Sequence, residues 1–153
     1  MKTRFTRDDG GKYLSETQLL RPALFTELRF RGIERVEVEF CGGGDEGGVE
    51  SIKCFLRGGE VKELSEPCFN THYNPDGSQE YYWWNKENKE VPFVPTLDDE
   101  LAYALSAPVY NKYHTFAGEY YVNGKVIFDI EAETIKIEGK ESVETWEGFE
   151  EEV

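Results

Sequence analysis

Three carboxylates and five glycines crowd one short stretch, Phe40-Cys41-Gly42-Gly43-Gly44-Asp45-Glu46-Gly47-Gly48-Val49-Glu50. Asp45, Glu46 and Glu50 are hard oxygen donors of the kind that hold Ca²⁺, a cation that takes about six to eight oxygens. The Asp-x-Asp-x-Asp-Gly spacing of a calcium loop is absent, however. The competing reading is a hairpin turn in which Asp45 caps backbone N–H groups. Cys41, beside the glycines, carries a thiol, but its sequence neighbours are acidic and do not favour the thiolate. It reads better as a small hydrophobe. His72 and His114 are the only histidines. His114 with Asp129 or Glu119 would make an acid–base pair, against the plainer reading of a solvent-facing ring beside Tyr113. There is no nucleophile elbow, zinc-protease helix or phosphate-binding P-loop. An enzymatic or metal-dependent reading therefore centres on Asp45, Glu50 and His114, without a cofactor motif behind it.

Two further groups suit contact with a protein partner. Tyr81-Tyr82-Trp83-Trp84 places four aromatics in a row. Trp and Tyr dominate protein-binding hot spots, while covering a gap in the core is an equal alternative. The second group is acidic: Glu144, Glu147, Glu150, Glu151 and Glu152. From Glu131 onward there are nine acids and two lysines, so this last stretch carries half of the net charge of −14. Such a surface can imitate a nucleic-acid backbone and occupy a basic groove, and it speeds association with a basic partner. A merely solvated acidic face is the plainer account of a charge run. The overall charge argues against direct phosphate contact with nucleic acid and against anionic membranes. No apolar run approaches a membrane span, and an odd count of three cysteines without a secretory leader points to reduced thiols in a cytoplasm.

Stepping along the chain, residues 1–12 read as a loose arm, and Ser15-x-x-Gln18 resembles a capping box. Leu20, Leu24 and Leu28 recur at helical spacing, with Pro22 in the first turn and Gly32 closing the helix. Val36, Val38 and Phe40 alternate with Arg35, Glu37 and Glu39, the period of a half-buried strand. The glycine turn joins it to a second strand over 49–56, and Val61 to Leu64 adds a short third. Residues 65–95 read as an irregular insertion loop containing the turn Asn74-Pro75-Asp76-Gly77. Thr96 caps a second helix with the stripe Leu97, Leu101 and Leu105, which Pro108 is expected to end near Ala107. Asn123-Gly124 predicts a type I′ hairpin between Tyr120–Val122 and Lys125–Ile130. A last strand spans 134–138 after a turn at 131–133, and 147–153 form an acidic tail. The whole predicts one α+β domain over 13–146, a mainly antiparallel twisted sheet with two helices packed on one face.

Two stretches resemble a known family. Phe40-x-Gly42-x-Gly44-Asp45-x-Gly47-x-Val49-Glu50, after Gly32-Ile33-Glu34-Arg35-Val36, matches an F-x-G-x-G-D-x-G-x-[IV]-E signature. Leu101-Ala102-Tyr103, Gly118-Glu119-Tyr120 and Gly124-x-Val126-x-Phe128-Asp129 match its second half. The family consists of small uncharacterised proteins carried by plasmids, phages and other bacterial mobile elements. The resemblance covers most of 20–145 except the aromatic loop. It implies a compact α+β domain in the cytoplasm of a bacterial host and no particular activity. Charge, aromatics and this resemblance together predict a non-enzymatic interaction protein that blocks a basic, nucleic-acid-handling host protein such as a CRISPR effector. No cofactor is expected, and homodimerisation stays open.

Overall fold

The computed structural model describes residues 21–65, 70–84, 89–92, 97–114, 116–142 and 146–153. The arm, the capping box at Ser15, Thr96, Cys68 and Glu144 lie outside them. The element order is α1 (Arg21–Phe30), β1 (Ile33–Gly43), β2 (Glu46–Leu56), β3 (Val61–Leu64), β4 (Asn70–Tyr73), β5 (Gln79–Trp84), β6 (Glu90–Pro92), α2 (Leu97–Tyr113), β7 (Tyr121–Asp129), β8 (Thr134–Ser142) and β9 (Trp146–Glu152). Six strands form an antiparallel sheet in the order β3-β2-β1-β7-β8-β9, and β4-β5-β6 form a separate three-stranded sheet. This is the expected α+β domain, with both helices on one face.

The alternation read from β1 sets that face. Val36, Val38, Phe40, Ile52, Cys54, Val126, Phe128, Ile135 and Ile137 are all buried, and they meet Leu24, Phe25 and Leu28 of α1 and Leu101, Leu105 and Val109 of α2. The intervening Arg35, Glu37, Glu39, Lys125, Glu138 and Lys140 face the open side. A one-residue slip would reverse every one of these placements, so the buried set pins the register. Arg31 ties α1 to the start of α2 through Asp98, at 2.7 Å.

Four expectations are corrected. Helix α2 does not stop at Ala107 but runs through Pro108 to Tyr113. Proline in a helix interior costs about 3 kcal/mol; burial of Val109 and Tyr113 beyond it, and of Ala107 just before it, outweighs that. Asn123-Gly124 is not a turn. It lies inside β7, where Asn123 pairs with Cys41 and Lys140, and Gly124 with Phe40 and Gly139. Long strands on both sides hold this dipeptide extended. Residues 65–95 are not wholly irregular, since they carry β4, β5 and β6 around the turn foreseen at Asn74–Gly77. There Asp76 Oδ1 accepts from the Ser78 N–H at 2.9 Å, and the Gly77 N–H bonds Asn74 O at 2.9 Å. Finally, most of the supposed acidic tail is strand β9, paired to β8 over seven consecutive residues from Trp146 to Glu152.

Candidate functional site

The glycine stretch is the tip of the β1–β2 hairpin. Gly43 pairs with Glu46, leaving Gly44 and Asp45 as the two turn residues, at φ +60° and +71°. Two positive φ values in a two-residue loop are the mark of a type I′ turn, so the turn type foreseen at Asn123 belongs here. The Asp45 N–H bonds the carbonyl of Phe116 at 2.9 Å. That contact explains the neighbouring glycines. A Cβ on Gly42 would fall 2.3 Å from Phe116 Cδ1, and one on Gly47 would fall 2.5 Å from Gly42 Cα and 2.8 Å from Phe116 Cγ. The two glycines face each other across the hairpin and form a socket for the Phe116 ring, which is wholly buried and stacked on Tyr113 with centroids 5.4 Å apart. No single motif within the stretch announces the socket, because its occupant comes from a distant loop.

The three carboxylates of the stretch do not converge. Asp45 lines a recess with Gly44, Gly118, Glu119, Tyr120 and Tyr121. Glu50 is the extra residue of a bulge, opposite no β1 residue because Glu39 pairs with Ser51 and Phe40 with Val49. Its Oε1 accepts the Cys41 thiol at 2.5 Å. That hydrogen bond, more than burial, pushes the Cys41 pKa above its ordinary 9.0. Glu46 is exposed at the turn. Among the described residues no three His, Cys, Asp or Glu side chains gather in a metal-binding group. His114 is exposed after α2. Asp129 sits at the far end of β7, opposite Arg35, where it accepts the Ala132 N–H at 3.1 Å; the sheet separates it from His114.

The open face of the sheet is a charged lattice. Lys125 bonds Glu37 at 3.2 Å, Arg35 bonds the same carboxylate at 3.1 Å, and Lys53 approaches Glu39 at 3.8 Å. Burial alone would raise the Glu37 pKa, but Lys125 and Arg35 outweigh it and hold the carboxyl below its ordinary 4.5. A groove of about 870 Å³ crosses this face between β1 and β9, bordered by Cys41, Glu50, Lys125, Glu138, Lys140 and Gly148.

The acids of the C-terminal stretch stand on β9, the outer strand. In register, Glu150 and Glu152 lie opposite Glu138 and Lys136 on the open side, and Glu151 lies opposite Ile137 on the helix side. Lys136 Nζ reaches Glu150 at 3.8 Å. Lys112 of α2 reaches across to the Glu151 carboxylate and stands 5.4 Å from the Phe149 ring centroid. Next to it, Tyr113 Oη donates to Glu141 at 2.6 Å. Burial first, and then that bond, push the Tyr113 pKa upward. Three of the five acids proposed for partner contact, Glu150, Glu151 and Glu152, are thus exposed on an ordered strand. The backbone of Glu147 belongs to the same strand, while its side chain lies outside the described residues.

Tyr81-Tyr82-Trp83-Trp84 forms the central strand β5 of the small sheet, paired to Asn70–Thr71 on one side and Glu90–Pro92 on the other. Tyr82 is half-buried. The side chains of Tyr81, Trp83, Trp84 and His72 lie outside the described residues.

Residues 17–153 match a family of unknown function, DUF6878. The chain belongs to that family. The match spans the whole six-stranded sheet and both helices, so the glycine socket and the β9 strand both lie within it. No curated protein and no solved structure matches this DUF6878 chain. No helix among the described residues is long and apolar enough to cross a membrane.

Proposed function

We propose that this DUF6878 protein is a non-enzymatic, acidic interaction protein of a phage or other mobile element, acting in the cytoplasm of a bacterial host. It binds and inhibits a basic, nucleic-acid-handling host protein, such as a CRISPR effector or another defence component. One observation carries the reading: the acids of a segment with nine acids and two lysines include three exposed glutamates fixed on one outer strand. Glu150 and Glu152 on the open side and Glu151 on the helix side hold negative charge in place on both faces of the edge, and a basic groove meets it without first ordering a loose tail. The aromatic strand β5 would add the anchoring contacts.

The test is capture from a bacterial lysate with the full chain as bait, followed by a nucleic-acid-binding assay on what is captured. The expected catch is a basic protein whose binding to nucleic acid falls when the bait is added. Affinity should drop at least tenfold between 50 mM and 500 mM NaCl, as exposed charge pairs are screened within about one Debye length. Glu150→Gln, Glu151→Gln and Glu152→Gln together should weaken capture similarly. Trp83→Ala with Trp84→Ala should abolish it without unfolding the domain. Capture that ignores salt and the triple substitution, or a catch whose nucleic-acid binding is untouched, would overturn the reading.

A further inference from the structure

Strand β9 ends the main sheet, and among the described residues no strand pairs with its outer edge. An unpaired edge displays backbone N–H and C=O groups that can template another chain, and folded proteins normally blunt it with a bulge, a proline, charged side chains (lysine above all) or a very short strand. The opposite edge, β3, is short, four residues from Val61 to Leu64. Of these devices β9 has only charge, four glutamates, which guards the edge against acidic strands and leaves it open to basic ones. It runs seven residues, Trp-Glu-Gly-Phe-Glu-Glu-Glu, with no proline or lysine. Its register with β8 is unbroken from Lys136↔Glu152 to Ser142↔Trp146, so it has no bulge. The ladder continues past it, the Val153 N–H bonding Ile135 O at 2.9 Å. From behind, Lys112 fixes Glu151 and covers Phe149. The edge is extended, unbulged and held from behind by Lys112.

Its charge decides what can occupy it. Antiparallel pairing with a second copy, centred on Glu151, sets Glu150 against Glu152; centred on Phe149, it sets Glu147 against Glu151. Like charges directly opposite each other destabilise a strand pair, and opposite charges stabilise it. We infer that the outer edge of β9 takes an extended basic segment of another protein as an added antiparallel strand. Lysines or arginines at alternate positions of that segment would lie beside Glu150 and Glu152 on the open face. Main-chain hydrogen bonds would supply affinity and the alternating cations specificity, the division of labour of strand addition. The inference rests on the basic-partner reading above for its biological setting, while its geometry comes from the sheet alone.

The test uses the full-length chain, ¹⁵N-labelled, and a capped Lys-Val-Lys-Val-Lys-Val-Lys peptide as probe. Amide exchange in β9 should slow at least fivefold on adding the peptide. The same peptide N-methylated on alternate residues keeps its charge but loses one hydrogen-bonding edge, and it should bind at least tenfold more weakly. Glu150→Lys with Glu152→Lys should abolish binding of the basic peptide while the circular dichroism spectrum is unchanged. Equal binding of both peptides, or protection confined to other strands, would overturn the inference in favour of diffuse charge attraction. Protection of β9 that grows with protein concentration and without peptide would overturn it in favour of a second copy. If a lysate yields no basic partner but the peptide protects β9, the strand-addition inference stands and the inhibitor reading falls. If a partner is captured and β9 exchange is unaltered, the strand-addition inference is overturned.

Discussion

At the scale of single residues, Gly42 has the sharpest requirement. Its missing side chain is space already filled by the Phe116 ring. Gly42→Ala should cost about 1–3 kcal/mol, the range for forcing an extra carbon into a packed core. Gly42→Ala combined with Phe116→Ala should cost less than the sum of the two single changes, because the second removes the atoms with which the first collides. Chemical denaturation of the four proteins checks this. Cys41 makes a different prediction. Its thiol donates to Glu50, which disfavours the thiolate. In a Cys68→Ser background, Cys41 should alkylate with iodoacetamide at pH 8 several-fold more slowly than free cysteine, and Glu50→Gln should speed it. Cys54 stays silent, since burial raises its pKa to about 11. The acidic neighbours that disfavoured a reactive thiol were legible in the sequence. The bulge that brings Glu50 onto Cys41 was not, because it depends on the pairing register.

At the scale of elements, Lys112 joins α2 to the outer strand by a charge pair and by its position over an aromatic ring. An exposed ion pair and a cation–π contact each contribute up to about 1 kcal/mol. Lys112→Met should therefore speed amide exchange in β9 by roughly fivefold and leave β1 and β7 unaltered, as read by hydrogen–deuterium exchange. The elements with a clear period were readable in advance: α1 from its leucines, β1 from its strict alternation, β8 from Ile135 and Ile137. Three of the four misread elements share a cause. Pro108, Asn123-Gly124 and the Glu150–Glu152 run are each locally unfavourable for the structure they adopt, and each is held by a partner far along the chain. Buried neighbours hold the first, flanking strands the second, and β8 with Lys112 the third. Local preference is a weak guide wherever tertiary contacts decide.

At the scale of the whole molecule, a net charge of −14 on 153 residues makes the compact state repel itself. Screening should relieve this, so the melting temperature should rise by several degrees between 10 mM and 300 mM NaCl, measured by scanning calorimetry. Acid should act in the opposite direction at one defined place. The Glu37 carboxyl is held below its ordinary 4.5 by Lys125 and Arg35. A carboxylate with a lowered folded-state pKa adds stability that is present above the unfolded value and lost as pH falls through the folded one. Glu37→Gln should thus destabilise the protein at pH 7, with the difference from the parent shrinking below about pH 4.5. The denaturation midpoints of the two proteins, compared from pH 7 to pH 3, read this directly.

The Phe116 socket also sets an order of events. A two-residue turn lets the β1–β2 hairpin close early, since its strands are neighbours in the chain. The ring that fills the glycine gap arrives only after α2 and everything before it has been placed, because long-range closure carries the larger entropy cost. On this order the socket would be empty at the folding barrier, and it is full in the native state. Gly42→Ala should therefore leave the refolding rate nearly unchanged and accelerate unfolding. The glycines at the hairpin tip act as a latch on the finished fold, and the lifetime of the native state, more than the speed of reaching it, depends on them.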